Sequence, residues 1–306
     1  MSNKIKDKIS EVQNLHAAAS ESAENGDFAS KLAAQSFSDH LEELSLLEIA
    51  AKFDDSVEVL DFRLIANHLK SGSAPLDLVA GVADSVRKLI GYAALRLTEG
   101  GMGRKRIPKS LFQELDLRLA GLLPGSSRFI VSTTSGRDLL DDGVSKRAIE
   151  RVFSVLSSGG EGQEFLDSVN ELGQSGTKNL RELLYLIKSH HAEADISWCY
   201  DGKVINVWNG DKSTVESIST ALDLTEIVEE QVIRLSGKVE LLSQREKIEL
   251  RSNDGSLYKI LYPRSLLAAI SKLHLQEEVS LECKVTETDN PMTGESSIFY
   301  ELIDIS

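Results

Sequence analysis

A chain of 306 residues that is 41% hydrophobic is long enough to bury the cores of about two domains. Its formal net charge of -14 repels nucleic acid and anionic membrane on average, so either would need a local basic patch, and a basic partner is the easier fit. Two distant cysteines, Cys199 and Cys283, lack metal-ligand neighbours, and no apolar run reaches leader or membrane-spanning length, so a cytoplasmic protein with buried free thiols is expected.

From Ile5, the apolar residues Ile9, Val12, Leu15 and Ala19 follow at helical spacing, which predicts an amphipathic helix. The pattern resumes after Asn25-Gly26-Asp27 with Phe28, Leu32, Phe37, Leu41, Leu44 and Leu47. Residues 1–52 are therefore expected to form a helical hairpin. Its stripe would either cover the next domain or offer a coiled-coil-like surface to a second copy or another subunit.

Residues 53–225 are expected to form an α+β domain with antiparallel sheet. Val57, Leu60, Phe62 and Leu64 carry the period of a strand, which stops at "NHLKSGSAP". A helix follows over "LDLVAGVADSVRKLIGYAALRL", with Ser73 as N-cap and Pro75 in its first turn. After the Gly-rich, basic loop "GGMGRKRIPK", the segment "ELDLRLAGLLPGSSRFIVSTT" reads as two strands joined at Pro124-Gly125. Helices are predicted from Ser145 to Leu156 and from Lys178 to Ser189. Asp201-Gly202 between two alternating runs marks a hairpin, and the capping-box spacing of Ser213 and Glu216 starts a helix through Leu222.

Residues 228–306 run as strands "QVIRLSGKVELL", "EKIELRS" and "SLYKILYP", a helix "RSLLAAISKL", and strands "EEVSLECKVTET" and "SIFYELIDI". That β-β-β-α-β-β order, with Gly237 midway along the long first strand where a barrel strand must bend, resembles the OB-fold, a small five-stranded barrel. The resemblance implies a ligand on the second and third strands and the loops at the ends of strands one and four. Lys247, Arg251, Tyr258 and Lys259 are the nucleic-acid candidates on those strands, with Tyr258 and Tyr262 sharing one face of the third. Glu246 and Glu249 interleave with them and the last loop, "TETDNPMTGES", is acidic, which favours docking onto another protein. In overall appearance the chain also resembles uncharacterised bacterial accessory proteins of multi-gene systems, including those that act against phage.

Chemical motifs are sparse. Gly125-Ser126-Ser127 runs directly into a strand, so it is read as a hairpin turn and not as a phosphate loop. The anion candidates are Ser71, Gly72 and Ser73 before a helix, Arg104, Lys105 and Arg106 of the basic loop, and Arg128 if it converges with them. The six histidines show no HExxH spacing, Asp138, Asp141 and Asp142 lack calcium-loop spacing, and no serine sits in a nucleophile elbow. No catalytic residue, metal or cofactor is assigned. The expected function is a non-catalytic binding or regulatory subunit with a protein partner or a second copy of itself. The alternatives are nucleic-acid binding by the barrel, and a sensor or enzyme for a small phosphorylated ligand.

Overall fold

A computed structural model describes residues 2–24, 27–50, 58–66, 75–101, 106–123, 127–133, 143–200, 203–243, 245–291 and 293–305. Helices α1 (Ser2–Glu24) and α2 (Phe28–Ala50) form the expected hairpin. Asp27 starts α2 because its carboxylate accepts from the backbone N–H groups of Ala29 and Ser30, at 3.2 and 3.1 Å, which have no partner within the helix. The helices pack on each other over Val12 and Leu44, while Leu15, Phe28 and Leu32 stay exposed. Part of the apolar stripe is thus buried and part of it faces outward.

The central part runs β1 (Glu58–Ile65), α3 (Leu76–Glu99), α4 (Lys109–Leu115), β2 (Arg118–Leu123), β3 (Ser127–Thr133), α5 (Val144–Ser157), α6 (Gly162–Ser189), β4 (Glu193–Tyr200), β5 (Lys203–Gly210) and α7 (Lys212–Leu224). The strands form one antiparallel sheet in the order β2-β3-β1-β4-β5, so the first strand lies at its centre. Alternation along β1 sends Leu60, Phe62 and Leu64 to the face shared by Phe129, Ile196, Trp198 and Trp208. There they meet α3, whose Leu78, Val82, Leu89, Ala93 and Leu97 recur at helical spacing, and also α5 and α6. Each large side chain buried in this way contributes roughly 1.5–3 kcal/mol. Trp198 fits into this core because its ring N–H donates to the Glu58 carboxylate at 2.6 Å.

Four local readings are corrected here. Helix α6 begins at Gly162 and not at Lys178, and α4 was not expected at all. Helix α7 is capped by Asp211, which accepts from Thr214 N–H at 2.7 Å, so Ser213 lies inside the first turn and donates to that same carboxylate. Pro75 immediately precedes α3 and does not lie in its first turn, while its carbonyl accepts from Val79 N–H. Helix α6 is interrupted at Gly173, whose φ of 76° and ψ of 165° are open to glycine alone, and a Cβ there would collide with the Arg96 side chain.

The C-terminal part is a closed barrel of β6 (Glu226–Ser243), β7 (Lys247–Ser252), β8 (Leu257–Leu261), β9 (Glu278–Asn290) and β10 (Glu295–Ile305). A 3-10 turn at Arg264–Leu266 and the short α8 (Leu267–Ile270) lie between β8 and β9, where a longer helix was expected. Around the barrel the order is β6-β7-β8-β10-β9, with β8 and β10 parallel and the other neighbours antiparallel, which is compatible with an OB-like barrel. Val239, Ile248, Leu250, Ile260, Leu281 and Leu302 fill it, forming a core separate from that of the sheet. Gly237 is the point at which β6 passes from β9 to β7, and a Cβ there would run into the backbone of Arg251 and Ser252. Among the described residues no helix is long and apolar enough to cross a membrane.

Candidate functional site

The outer face of β7 and β8 is where the barrel resemblance places a ligand. Ile248 and Leu250 point inward, which leaves Lys247, Glu249 and Arg251 outside. Cross-strand register sets Arg251 opposite Leu257, Glu249 opposite Lys259 and Lys247 opposite Leu261. The cations are matched locally: Lys247 lies 3.0 Å from Glu249, while Arg251 grips both oxygens of Glu240 and also donates to Gly255 O. Leu241 and Leu257 are exposed among them. Tyr258 falls on the opposite side of β8. It packs with the barrel core and meets Tyr300 edge to face, with ring centroids 5.3 Å apart. The structure therefore brings Lys247, Arg251 and Lys259 onto one surface and turns Tyr258 away from it.

The barrel's β9–β10 side is covered. Asn170 and Asp167 of α6 accept from Thr288 and Ser297, each at 2.6 Å. Arg96 of α3 lies 3.5 Å from Glu301 and over the ring of Phe299, and Glu301 also accepts from Gly101 N–H at 2.7 Å. In the β6–β7 turn, Glu246 is only 3% exposed and lies between Arg147 of α5 and Arg264, with Arg264 Nε at 2.9 Å. Arg151 completes this junction by donating to the Glu171 carbonyl just before the break in α6. Burial pulls the Arg151 guanidinium down to about 10, opposed by Glu171 and aided by the charges of Arg96 and Arg147. Sheet and barrel are thus joined by ion pairs and hydrogen bonds through residues of which sequence reasoning named only Glu246, and that as an acidic residue of the ligand face, where the structure instead buries it between two arginines. Arginines at apolar-face positions of three separate helical segments were the available signal.

A second charged cluster lies on the sheet face away from the helices. Arg128, proposed from sequence as an anion ligand, is 8% exposed and holds Asp61 through a two-pronged pair, with Nε–Oδ1 at 2.8 Å and Nη2–Oδ2 at 2.6 Å. Arg63 lies directly opposite both Arg128 on β3 and Asp195 on β4. Burial raises the Asp195 carboxyl, and Arg63 acts against that shift. Burial likewise raises the nearby Cys199 thiol to about 11. Arg106 is exposed at the end of the basic loop. Ser71, Gly72, Ser73, Arg104 and Lys105 lie outside the described residues, as do His68, Arg137, Asp138, Asp141, Asp142, the turn at Pro124-Gly125-Ser126 and Asp201-Gly202.

An open cleft of about 450 Å³ at one end of the barrel is lined by Ser236, Gly237, Asn253, Glu277, Glu278 and Ile305, a set whose charge is unsuited to phosphate. Among the described residues no three His, Cys, Asp or Glu side chains gather closely enough to hold a metal ion. Compared with known proteins, the chain matches no family model, no curated protein and no solved structure, so nothing there bears on the resemblance to bacterial accessory proteins.

Proposed function

We propose that the protein is a non-catalytic binding subunit that docks another protein on the outer face of its barrel. The observation that carries this reading is the composition of that face: Arg251 and Lys247 are paired with Glu240 and Glu249, Lys259 lies across from Glu249 in register, its exposed apolar groups include Leu241 and Leu257, and its tyrosine points inward. Single-stranded nucleic acid asks for the opposite arrangement, a run of cations along the backbone path and aromatic rings open for bases to stack on. Leucines ringed by matched charges suit a protein surface, because the apolar centre supplies burial and the pairs set register at the rim. Arg147, Glu246 and Arg264 tie the β6–β7 turn to α5, so the face is presented from a rigid base.

The test is affinity purification of the tagged chain from its own cells, with and without nuclease, beside a Leu241→Glu, Leu257→Glu variant of unchanged circular dichroism. Partners recovered in stoichiometric amount after nuclease, and lost in the variant, are the expected result. Recovery of nucleic acid, with proteins lost on nuclease treatment, would sink the reading. A salt-sensitive mobility shift with single strands that is weakened by Lys247→Ala and Lys259→Ala would do the same.

A further inference from the structure

The barrel is closed and so has no strand edge, but the sheet ends in one. Strand β5 is its last member, paired on one side with β4, and among the described residues no strand pairs with its other side. An unpaired edge presents a row of backbone N–H and C=O groups to any strand that approaches, and proteins usually blunt such edges with charge, proline or short length. Here the edge runs for eight residues, Lys203–Gly210, and from Val204 to Asn209 it carries neither charge nor proline. Val204, Ile205 and Val207 are 43, 47 and 48% exposed on a strand whose Trp208 is buried. The opposite edge is treated differently: β2 has six residues and opens on Arg118, which is ion-paired with Asp116.

We infer that β5 is the seam of a two-fold dimer, in which β5 of a second copy of this chain adds antiparallel to it and the two sheets join into one. Two features of one register favour a second copy over a foreign strand. A two-fold axis perpendicular to a sheet keeps each face on its own side, so residues brought opposite each other must already share a face. An axis through Val207 satisfies this, since Val207 then meets its own counterpart. In that register the exposed Val204 and Ile205 lie beside Asn209 of the second copy, and the irregularity at Ile205 places both of these apolar residues outward at once. Lys203, at one end of the strand, comes beside Gly210 and the exposed Asp211 of the second copy, so each end of the seam gains an opposite-charge contact despite the net charge of -14. This seam is independent of the barrel face, and either can fail without the other.

The mass of the full chain is measured by light scattering across a concentration series, for the native sequence, Val207→Lys and Val207→Cys. The native chain is expected to rise from 33.6 kDa towards twice that mass. Val207→Lys, which sets like charges opposite each other at the axis, is expected to weaken association by about tenfold or more. Under mild oxidation Val207→Cys is expected to form a covalent dimer, since Val207 would meet its own copy, whereas the native cysteines are both buried. A native chain that stays at 33.6 kDa throughout overturns the inference and leaves the edge to a strand from another protein. A dimer that persists in Val207→Lys, with no cross-link in Val207→Cys, places the interface elsewhere and also overturns it.

Discussion

Replacing Asp61 with leucine would deprive the Arg128 guanidinium of its two-pronged carboxylate partner. The side chains of the pair are 9 and 5% exposed, and Arg63 lies directly across the strand from Arg128. Removing one partner of a buried pair costs about 3–5 kcal/mol, because the remaining charge stays desolvated. Arg63 repels the remaining charge while Asp195 attracts it, so Asp61→Leu is expected within that range. The double variant Asp61→Leu, Arg128→Met removes both charges and keeps the volume, and such replacements range from neutral to about 1–4 kcal/mol stabilising. Urea unfolding followed by far-ultraviolet circular dichroism would give the four stabilities of the cycle. The expected result is a single variant badly destabilised and a double variant close to the native protein, with an unchanged m-value. If the losses of Asp61→Leu and Arg128→Met simply add, the two charges do not compensate each other and the reasoning fails. If the double variant is stable but no longer recovers partners, the pair serves binding and not only the sheet.

Glu246→Gln removes the anion between Arg147 and Arg264 and is expected to cost about 3–5 kcal/mol, seen in calorimetry as one transition dividing into two when the junction between sheet and barrel loosens. Gly237→Ala drives a methyl group into the backbone of β7 and is expected to destabilise the barrel by at least about 1–3 kcal/mol in the same measurement. Cys199 and Cys283 are expected to resist thiol reagents in the native protein at neutral pH and to react on unfolding. Burial raises both thiols from 9.0, to about 11 and about 12, so above pH 9 the unfolded chain releases protons that the folded chain retains. Stability is therefore lost as pH rises from 9 through 11 to 12, and a Cys199→Ala, Cys283→Ala variant should lose less of its melting temperature over that window.

The succession of the five barrel strands along the chain was legible because each strand carries its own period-two pattern and each connection a recognisable break, with Gly237 marking the bend. The β4–β5 pairing and the course of α3 were legible for the same reason. The first half of α6 was not, since Gly159, Gly160, Gly162, Gly173 and Gly176 dilute the apolar period with residues that usually mark loops. Asp211 lost the cap position to Ser213 in the reading because the Ser213 and Glu216 spacing also fits a capping box, and only the backbone angles decide between them. For the candidate sites, alternation correctly grouped Tyr258 with Tyr262, but period alone does not say which face of a strand is the inside of a barrel. Arg128 looked available for an anion because its partner lies 67 residues earlier, and cross-strand register, which brings them together, is a product of the fold. Asp61 and Arg63 in the polar positions of a central strand were the signal that a charge from a neighbour was needed.

The chain has only two tryptophans, Trp198 and Trp208, and both lie on one face of the sheet, whereas the barrel holds Tyr258, Tyr262 and Tyr300 and no tryptophan. Indole therefore belongs to the sheet core alone, whereas phenol occurs in both parts, with Tyr92 packed against the sheet core. Indole emission follows the sheet alone, quenched or released as the Trp198 contacts with Glu58 and Phe153 change. Phenol emission from the native molecule includes the Tyr258–Tyr300 contact inside the barrel. A ligand that reaches only the barrel would leave the indole signal still, and one whose effect crosses the arginine junction would move both.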